Sequence, residues 1–172
     1  MITLKSQREI DLMNKSGDLL ASIHIGLRDL IKPGIDMWEI EEYVRLRCKE
    51  SNALPLQIGV EGSIMDYPYA TCCSLNDEVA HALPRHQKLV EGDIIKVDMV
   101  LGLVEKSELD VSKLNFDNVK EMKQFTERPP SSVLCAQPVL GSVSISQVPV
   151  EIIGSMVRTI PSRRRRPRPE RP

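Results

Sequence analysis

Apolar residues recur at helical spacing in two stretches of the first fifty residues. The first stretch follows a capping box at Ser6–Glu9 and stops before Pro33, which cannot continue a helix. The second begins at Asp36, a residue type that caps helices because its side chain accepts backbone hydrogen bonds. We therefore predict two capped helices, and we expect Trp38, near the start of the second, to pack against a sheet.

After residue 52 the pattern changes to short apolar runs that are typical of strands. The run Ala53–Ile58 contains Pro55, which predicts an edge strand because proline cannot donate into a central ladder. A second run, ATCCSL, follows at residues 70–75. The stretch 105–117 is polar, and residues 117–125 have the pattern of a short capped helix.

The run DIIKVDMVLG at residues 93–102 is rich in β-branched residues and ends at a glycine, so we predict a largely buried strand. Lys96, Asp98 and Val100 share one of its faces, and Val97, Met99 and Leu101 share the other. An acid on a buried strand costs free energy unless it is paired or binds a metal. Asp98 is therefore a candidate for chemistry, with neutralisation by Lys96 or an arginine as the structural alternative.

Composition divides the chain near residue 125. Residues 1–125 carry 15 basic and 21 acidic side chains, whereas residues 126–172 carry eight arginines and three glutamates. The second part holds eight of the twelve prolines and contains no lysine, aspartate, histidine or aromatic residue. We predict a folded domain over 1–125 and a disordered, low-complexity tail over 126–172. The abrupt switch in residue usage suggests a change of reading frame in the gene.

Compartment signals are few. No apolar run approaches the roughly 18 residues that a membrane span needs, and the N-terminus lacks the apolar core of a signal peptide. The four cysteines form no CxxC motif, which favours a reducing compartment. We therefore expect a cytoplasmic protein without a membrane partner.

Two motifs give the chain a family resemblance. SLNDEVAHALP at residues 74–84 is followed by EGDIIKVDMVL at 91–101, and both resemble, in order and separation, motifs of the bacterial type I methionine aminopeptidases. The segment LPLQIGVEGSIMDYPYATCC also resembles this family, most of all its streptococcal form with an insertion after the DMVLG strand. The resemblance runs from about Met1 to Phe125. It implies an α/β (α+β) fold, the N-terminal half of the pita-bread architecture, in which helices cover an antiparallel sheet.

The resemblance implies metal-dependent hydrolysis that removes the initiator methionine from nascent polypeptide N-termini, with the ribosome as the place of encounter. Two divalent ions, Co, Mn, Fe or Zn, would be the cofactors. His81 would be the catalytic, substrate-binding histidine, and Asp98 the first metal ligand. Tyr67 and Cys72 would line the pocket for the methionine side chain. Without the resemblance, a structural role for His81 and core packing for Tyr67 and Cys72 are the alternatives.

The chain also departs from the family. The later ligands, a second aspartate, a histidine and two glutamates, have no matching motif in residues 126–172. Asp110 follows Asp98 by twelve residues, but it falls within the streptococcal insertion, and we expect that it is not a ligand. Ile64 and Met65 stand where many relatives have Tyr and His. We therefore expect a truncated chain that binds metal poorly, is inactive alone, and leaves a sheet edge unpaired and an apolar face uncovered.

Two other functions stay open. Pita-bread relatives without metal ligands serve as non-catalytic binding proteins, and this chain is a candidate for that role. The arginine-rich end, Arg163–Arg171, would suit contact with nucleic acid phosphates. It lacks the interleaved aromatic residues that stack on bases, which favours an incidental charged end over a nucleic acid partner.

Overall fold

The computed structural model describes residues 4–130, Val133 and the backbone of residues 156–159. Two helices are followed by four strands, and a short 3-10 turn at Val111–Lys113 then precedes the last helix and the last strand. The elements are α1 (Gln7–Leu30), α2 (Met37–Glu50), β1 (Ala53–Pro55), β2 (Cys72–Leu75), β3 (Ile94–Asp98), β4 (Leu101–Leu103), α3 (Val119–Glu127) and β5 (Met156–Thr159). Among the described helices, none is both long enough and apolar enough to cross a bilayer.

Both N-terminal helices begin at the predicted capping boxes. The Glu9 carboxylate accepts a hydrogen bond from the Ser6 backbone N–H at 2.6 Å, and Asp36 accepts one from the Trp38 backbone N–H at 2.8 Å. These bonds satisfy N–H groups that have no partner inside a helix. The prediction for the Trp38 ring is wrong, because it lies against Tyr69 and His86 and not against a sheet.

The strands form two antiparallel sheets, which confirms the predicted antiparallel arrangement. β1 pairs with β4, and β3 lies between β2 and β5. The predicted strand over 93–102 is interrupted at Met99 and Val100, so that its first part pairs with β2 and its second part with β1. In the described part of the chain β1 has one partner strand, as Pro55 predicted.

The core lies on one side of these sheets. α1 and α2 contribute buried side chains to it, and Ile95 and Val97 of β3 join them with no exposed surface. On the opposite face Ile94 and Val100 are 40% and 44% exposed. The prediction of a largely buried strand is therefore wrong for one face, because the helices cover only the other.

Two parts of the predicted tail have regular structure. α3 continues to Glu127, and Met156–Thr159 forms β5, with Thr159 opposite Ile94. At these positions the structure has regular elements where a disordered tail was expected, and β5 covers one edge of β3, so that β2 and β5 are the outer strands of the sheet. Most of the remaining tail, including Arg163–Arg171, lies outside the described residues.

The stretch 105–117, which looked polar, contributes to the core through Val111, Leu114 and Phe116. Asn52 holds this stretch in place. Its amide donates to the carbonyl oxygens of Val104 and Leu109 at 2.8 and 3.0 Å, and its carbonyl oxygen accepts from the Val111 backbone N–H at 2.8 Å.

Candidate active site

Antiparallel pairing of β2 and β3 brings two predicted site residues together. Cys72 lies directly opposite Asp98, and Ser74 lies opposite Lys96. Side chains of directly opposed residues point to the same face of a sheet. This is the face that the helices leave open, where Asp98 is half-buried while Cys72 is only 2% exposed.

His81 reaches the same place through the loop that follows β2. The loop returns to the strand, because the Cys73 backbone N–H donates to the Ala82 carbonyl oxygen at 2.8 Å and the Ala82 N–H donates to Ser74 Oγ at 3.3 Å. His81 Nδ1 then lies 3.9 Å from Cys72 Sγ. The His81 backbone has φ of 58°, a left-handed conformation that is uncommon for residues other than glycine and is found at functional sites.

Tyr67 closes one side of the site. Its hydroxyl donates to the Thr71 carbonyl oxygen at 3.0 Å and lies 3.4 Å from the carbonyl oxygen of Ala82. Burial, followed by the hydrogen bond with Cys72, raises the pKa of the Tyr67 phenol. The phenol is therefore a neutral hydrogen-bond donor at neutral pH.

Cys72 is a neutral thiol in this setting. Burial raises its pKa most, the hydrogen bond from Tyr67 lowers it, and the nearby Asp98 carboxylate raises it again, for a net increase. The amide nitrogen of Gln57 faces the carbonyl oxygens of Ala70 and Asp98, at 2.9 and 3.3 Å. The amide oxygen of Gln57 therefore faces the Cys72 thiol. A protonated, polarizable thiol makes favourable contacts with apolar groups and does not act as a nucleophile.

A buried carboxylate on α2 supports the segment between Tyr67 and Cys72. Glu41 has no exposed surface and accepts hydrogen bonds from the backbone N–H groups of Ala70 and Thr71 at 2.8 and 2.9 Å. It also accepts from Thr71 Oγ1 at 2.5 Å and from Arg45 Nε at 2.6 Å. We did not predict this group, although the sequence places an acid in the apolar stripe of α2 with an arginine four residues later.

The Asp98 carboxylate is not neutralised by Lys96. The Lys96 ammonium group instead donates to the carbonyl oxygen of Val79 at 2.8 Å and to that of Glu78. Across residues 4–130 no hydrogen bond or ion pair involves the Asp98 carboxylate. An acidic side chain in this position can accept a cation.

The donors needed for a metal centre do not converge around Asp98. Within the described part of the chain, no group of three or more His, Cys, Asp or Glu side chains is arranged to hold an ion. Outside it, the only His, Asp or Glu residues are Glu151 and Glu170. The residues present therefore do not fit a pair of divalent ions, which requires several carboxylate and imidazole ligands.

Asp110 has a local structural role. Its Oδ1 accepts from the Ser112 backbone N–H at 3.3 Å and from Ser112 Oγ at 2.6 Å, and its Oδ2 lies 3.3 Å from Lys113 Nζ. The hydrogen bond from Ser112 is the main cause of the lowered pKa of Asp110. Both carboxylate oxygens thus have partners near the 3-10 turn, which supports our expectation that Asp110 is not a ligand.

The positions that differ from many relatives are open to solvent. Ile64 is 95% exposed and Met65 is 58% exposed. Both lie in a loop whose ends are joined by hydrogen bonds of 2.8 Å between Tyr67 and the backbone of Gly59 and Val60. The loop is therefore anchored at Tyr67 while its tip extends into water.

Comparison with known proteins assigns the chain to a family. The model of metallopeptidase family M24 matches residues 11–104. The methionine aminopeptidase of Aquifex aeolicus is 36% identical over 100 residues, which cover 56% of this chain and 39% of that protein. Methionine aminopeptidase 1 of Bacillus subtilis is 33% identical over 99 residues, covering 58% of this chain and 38% of that protein.

Solved structures agree with this assignment. A methionine aminopeptidase from Streptococci is 74% identical, with a TM-score of 0.67 over 74% of this chain and 46% of that one. The methionine aminopeptidase of Thermotoga maritima is 37% identical, with a TM-score of 0.53 over 59% of this chain and 42% of that one. The chain spans less than half the length of these relatives. It belongs to metallopeptidase family M24 and has part of the pita-bread fold of the methionine aminopeptidases.

Proposed function

We propose that this chain forms the substrate-facing side of a methionine aminopeptidase site, which acts on the initiator methionine of nascent polypeptides. The juxtaposition of Tyr67, Cys72, His81 and Asp98 on the open face of β2 and β3 carries the proposal. These are the residues that the resemblance implies, and the pairing of β2 with β3 brings Cys72 and Asp98 together. The proposed setting is the cytoplasm, with peptide N-termini emerging from the ribosome as the partners.

Tyr67 and Cys72 form the part of the site that would receive the methionine side chain. The buried thiol of Cys72 and the ring of Tyr67 offer an apolar, polarizable surface, and thioethers make favourable contacts with aromatic edges. Because both groups stay neutral at neutral pH, they favour an uncharged side chain over an acidic or basic one.

His81 would contact the peptide near its first carbonyl group. Its ring is exposed beside Cys72, so that it can donate a hydrogen bond to a ligand seated in the pocket. The left-handed backbone conformation of His81 is of the kind that persists at functional sites. We propose that His81 orients the substrate.

The family uses divalent metal, and we propose that Asp98 is the first ligand of that centre, with Co, Mn, Fe or Zn as candidate ions. The remaining ligands are missing from the described residues, so this chain alone does not provide a centre that could activate water. We therefore propose that the isolated chain binds substrate groups but does not hydrolyse them.

The first test offers a Met-Ala-Ser peptide to the purified 172-residue chain with added Mn²⁺ or Co²⁺. We expect no release of methionine above background, because one carboxylate cannot hold two ions. A complete streptococcal methionine aminopeptidase serves as the positive control. Metal-dependent turnover that disappears in the His81→Ala variant would show that the chain is a complete enzyme.

The second test isolates substrate binding from catalysis. L-methionine titrated into the ¹⁵N-labelled chain should shift the backbone amide signals of Cys72 and His81, whereas L-glutamate at equal concentration should leave them in place. In the Cys72→Ser variant a more polar hydroxyl replaces the thiol. The shift that L-methionine causes should then be smaller by about threefold or more. Shifts of equal size with both amino acids would contradict the proposed pocket.

A further inference from the structure

Four rings form a row on the surface of the protein. Tyr67 and Tyr69 meet edge to face with ring centroids 6.3 Å apart, and Tyr69 meets Trp38 in the same way at 5.5 Å. The Trp38 ring then lies 5.3 Å from the His86 ring at an angle of 35°. We refer to Tyr67, Tyr69, Trp38 and His86 as the aromatic row.

The aromatic row is not part of the core. Its three aromatic residues are only half-buried, and the His86 side chain is 78% exposed. The chain has six Phe, Tyr and Trp residues in all, so half of them lie on this surface. Partly exposed aromatic rings in a continuous row are typical of an interaction surface.

Carboxylates lie beside the aromatic row. Asp36 Oδ1 is 3.5 Å from His86 Nδ1, and the exposed Glu42 follows Trp38 by one helical turn on α2. Two nearby cations already have partners, since Arg45 is paired with Glu41 and Arg85 with Glu78, and Lys88 forms a backbone bridge with Asp36. Partly exposed rings with neighbouring carboxylates suit a ligand that carries both guanidinium groups and apolar rings, because arginine stacks on aromatic faces and proline fits against them.

The C-terminal segment of this chain has that chemistry. Residues 160–172, IPSRRRRPRPERP, contain six arginines and four prolines within thirteen residues. Its charge is opposite to that of residues 1–125, which carry 21 acidic and 15 basic side chains. Proline restricts the conformations open to a peptide, which lowers the conformational entropy that a peptide loses on binding.

The segment is long enough to reach the aromatic row. β5 ends at Thr159, opposite Ile94, and Ile94 follows His86 by eight residues. The distance from Thr159 to His86 therefore has an upper limit made of two parts. The step between the strands, from Thr159 to Ile94, is about 5 Å, and the eight residues from Ile94 to His86 span at most about 29 Å. Thirteen extended residues span about 43 Å. We propose that the aromatic row binds residues 160–172 of the same chain, through arginine stacking and proline packing.

Trp38 is the sole tryptophan, so its fluorescence reports directly on this contact. The test compares acrylamide quenching in the full chain with a full-length variant in which all six arginines of residues 160–172 are replaced by glutamine. Acrylamide is uncharged and does not respond to the altered charge. We expect quenching of Trp38 to increase by about 1.5-fold or more in the glutamine variant, because the ring loses its cover.

A synthetic peptide of residues 162–172, added to the same variant, should restore the protection of Trp38 from acrylamide. The affinity of this peptide should fall in about 0.5 M salt, because salt screens the attraction between charges. Glu42→Gln should weaken peptide binding by about threefold, whereas the matched Glu50→Gln at the far end of α2 should not. Equal quenching in wild type and glutamine variant, with no effect of the peptide, would overturn the proposal. The proposal would also be overturned if the protection of Trp38 depended on protein concentration, which would indicate binding by a second copy of the chain. Loss of the protection after nuclease treatment would overturn it as well, because that would indicate bound RNA.

Discussion

Replacing Glu41 by glutamine is expected to lower the free energy of unfolding by about 3–5 kcal/mol. The carboxylate is fully buried and accepts from two backbone N–H groups, one hydroxyl and the Arg45 guanidinium. Glutamine has nearly the same shape, but its amide nitrogen would face donors and Arg45 would lose a buried counter-ion. Urea denaturation followed by circular dichroism measures the change.

Glu50→Gln is the matched control, since Glu50 lies on the same helix in an exposed ion pair with Arg47 at 2.9 Å. Exposed pairs of this kind contribute about 0–1 kcal/mol, so this variant should unfold almost as wild type does. The Glu41 variant should also disturb the amide signals of Thr71 and Cys72, because Glu41 positions the segment that precedes β2. Equal stability of the two variants would show that the buried carboxylate of Glu41 does not hold the segment before β2 against α2.

Gly59→Ala is expected to destabilise the protein by about 2–4 kcal/mol, because two penalties act together. The Gly59 backbone has φ of +89°, a conformation that side chains disfavour. A Cβ atom there would also lie 2.5 Å from Lys123 Cα and 2.8 Å from the Lys123 backbone nitrogen. Because these are backbone atoms of α3, the helix itself would have to move.

Gly34→Ala separates the two penalties. Gly34 has a similar φ of +97°, but a Cβ atom built there meets nothing within 4 Å. This variant should lose only about 1 kcal/mol, the cost of the backbone conformation. Hydrogen exchange of residues 119–127 should accelerate in Gly59→Ala and not in Gly34→Ala. Equal losses for the two glycines would mean that α3 is not closely packed on Gly59.

Local features of the sequence were the most predictable. The capping boxes that start α1 and α2 depend on residues three apart, so their signal is complete within one turn of chain. The edge position of β1 followed from Pro55 in the same way. These predictions needed no knowledge of which elements meet.

Features that depend on distant partners were not predictable from pattern alone. An apolar run does not reveal whether one or both of its faces are covered, and β3 has an open face because α1 and α2 cover the other. The pairing of β3 with Met156–Thr159 joins residues about sixty positions apart, which no local propensity indicates.

The site was predictable mainly through the family resemblance. Spacing gave no reason to place His81 beside Cys72 and Asp98, since that requires the register of β2 on β3 and the return of the loop to Ser74. Gln57, which contacts the Cys72 thiol, was missed although it is a polar residue inside an apolar run. Such a polar residue among apolar neighbours is a signal for a buried hydrogen-bond partner.

We propose that this chain supplies one metal ligand, Asp98, for a centre that needs several. Isothermal titration of the purified chain with Mn²⁺ and with Co²⁺ tests it directly, with Asp98→Asn and Asp110→Asn as paired variants. We predict at most one weakly bound ion per chain, whose binding is lost in Asp98→Asn and unchanged in Asp110→Asn. Two tightly bound ions per chain would contradict the account.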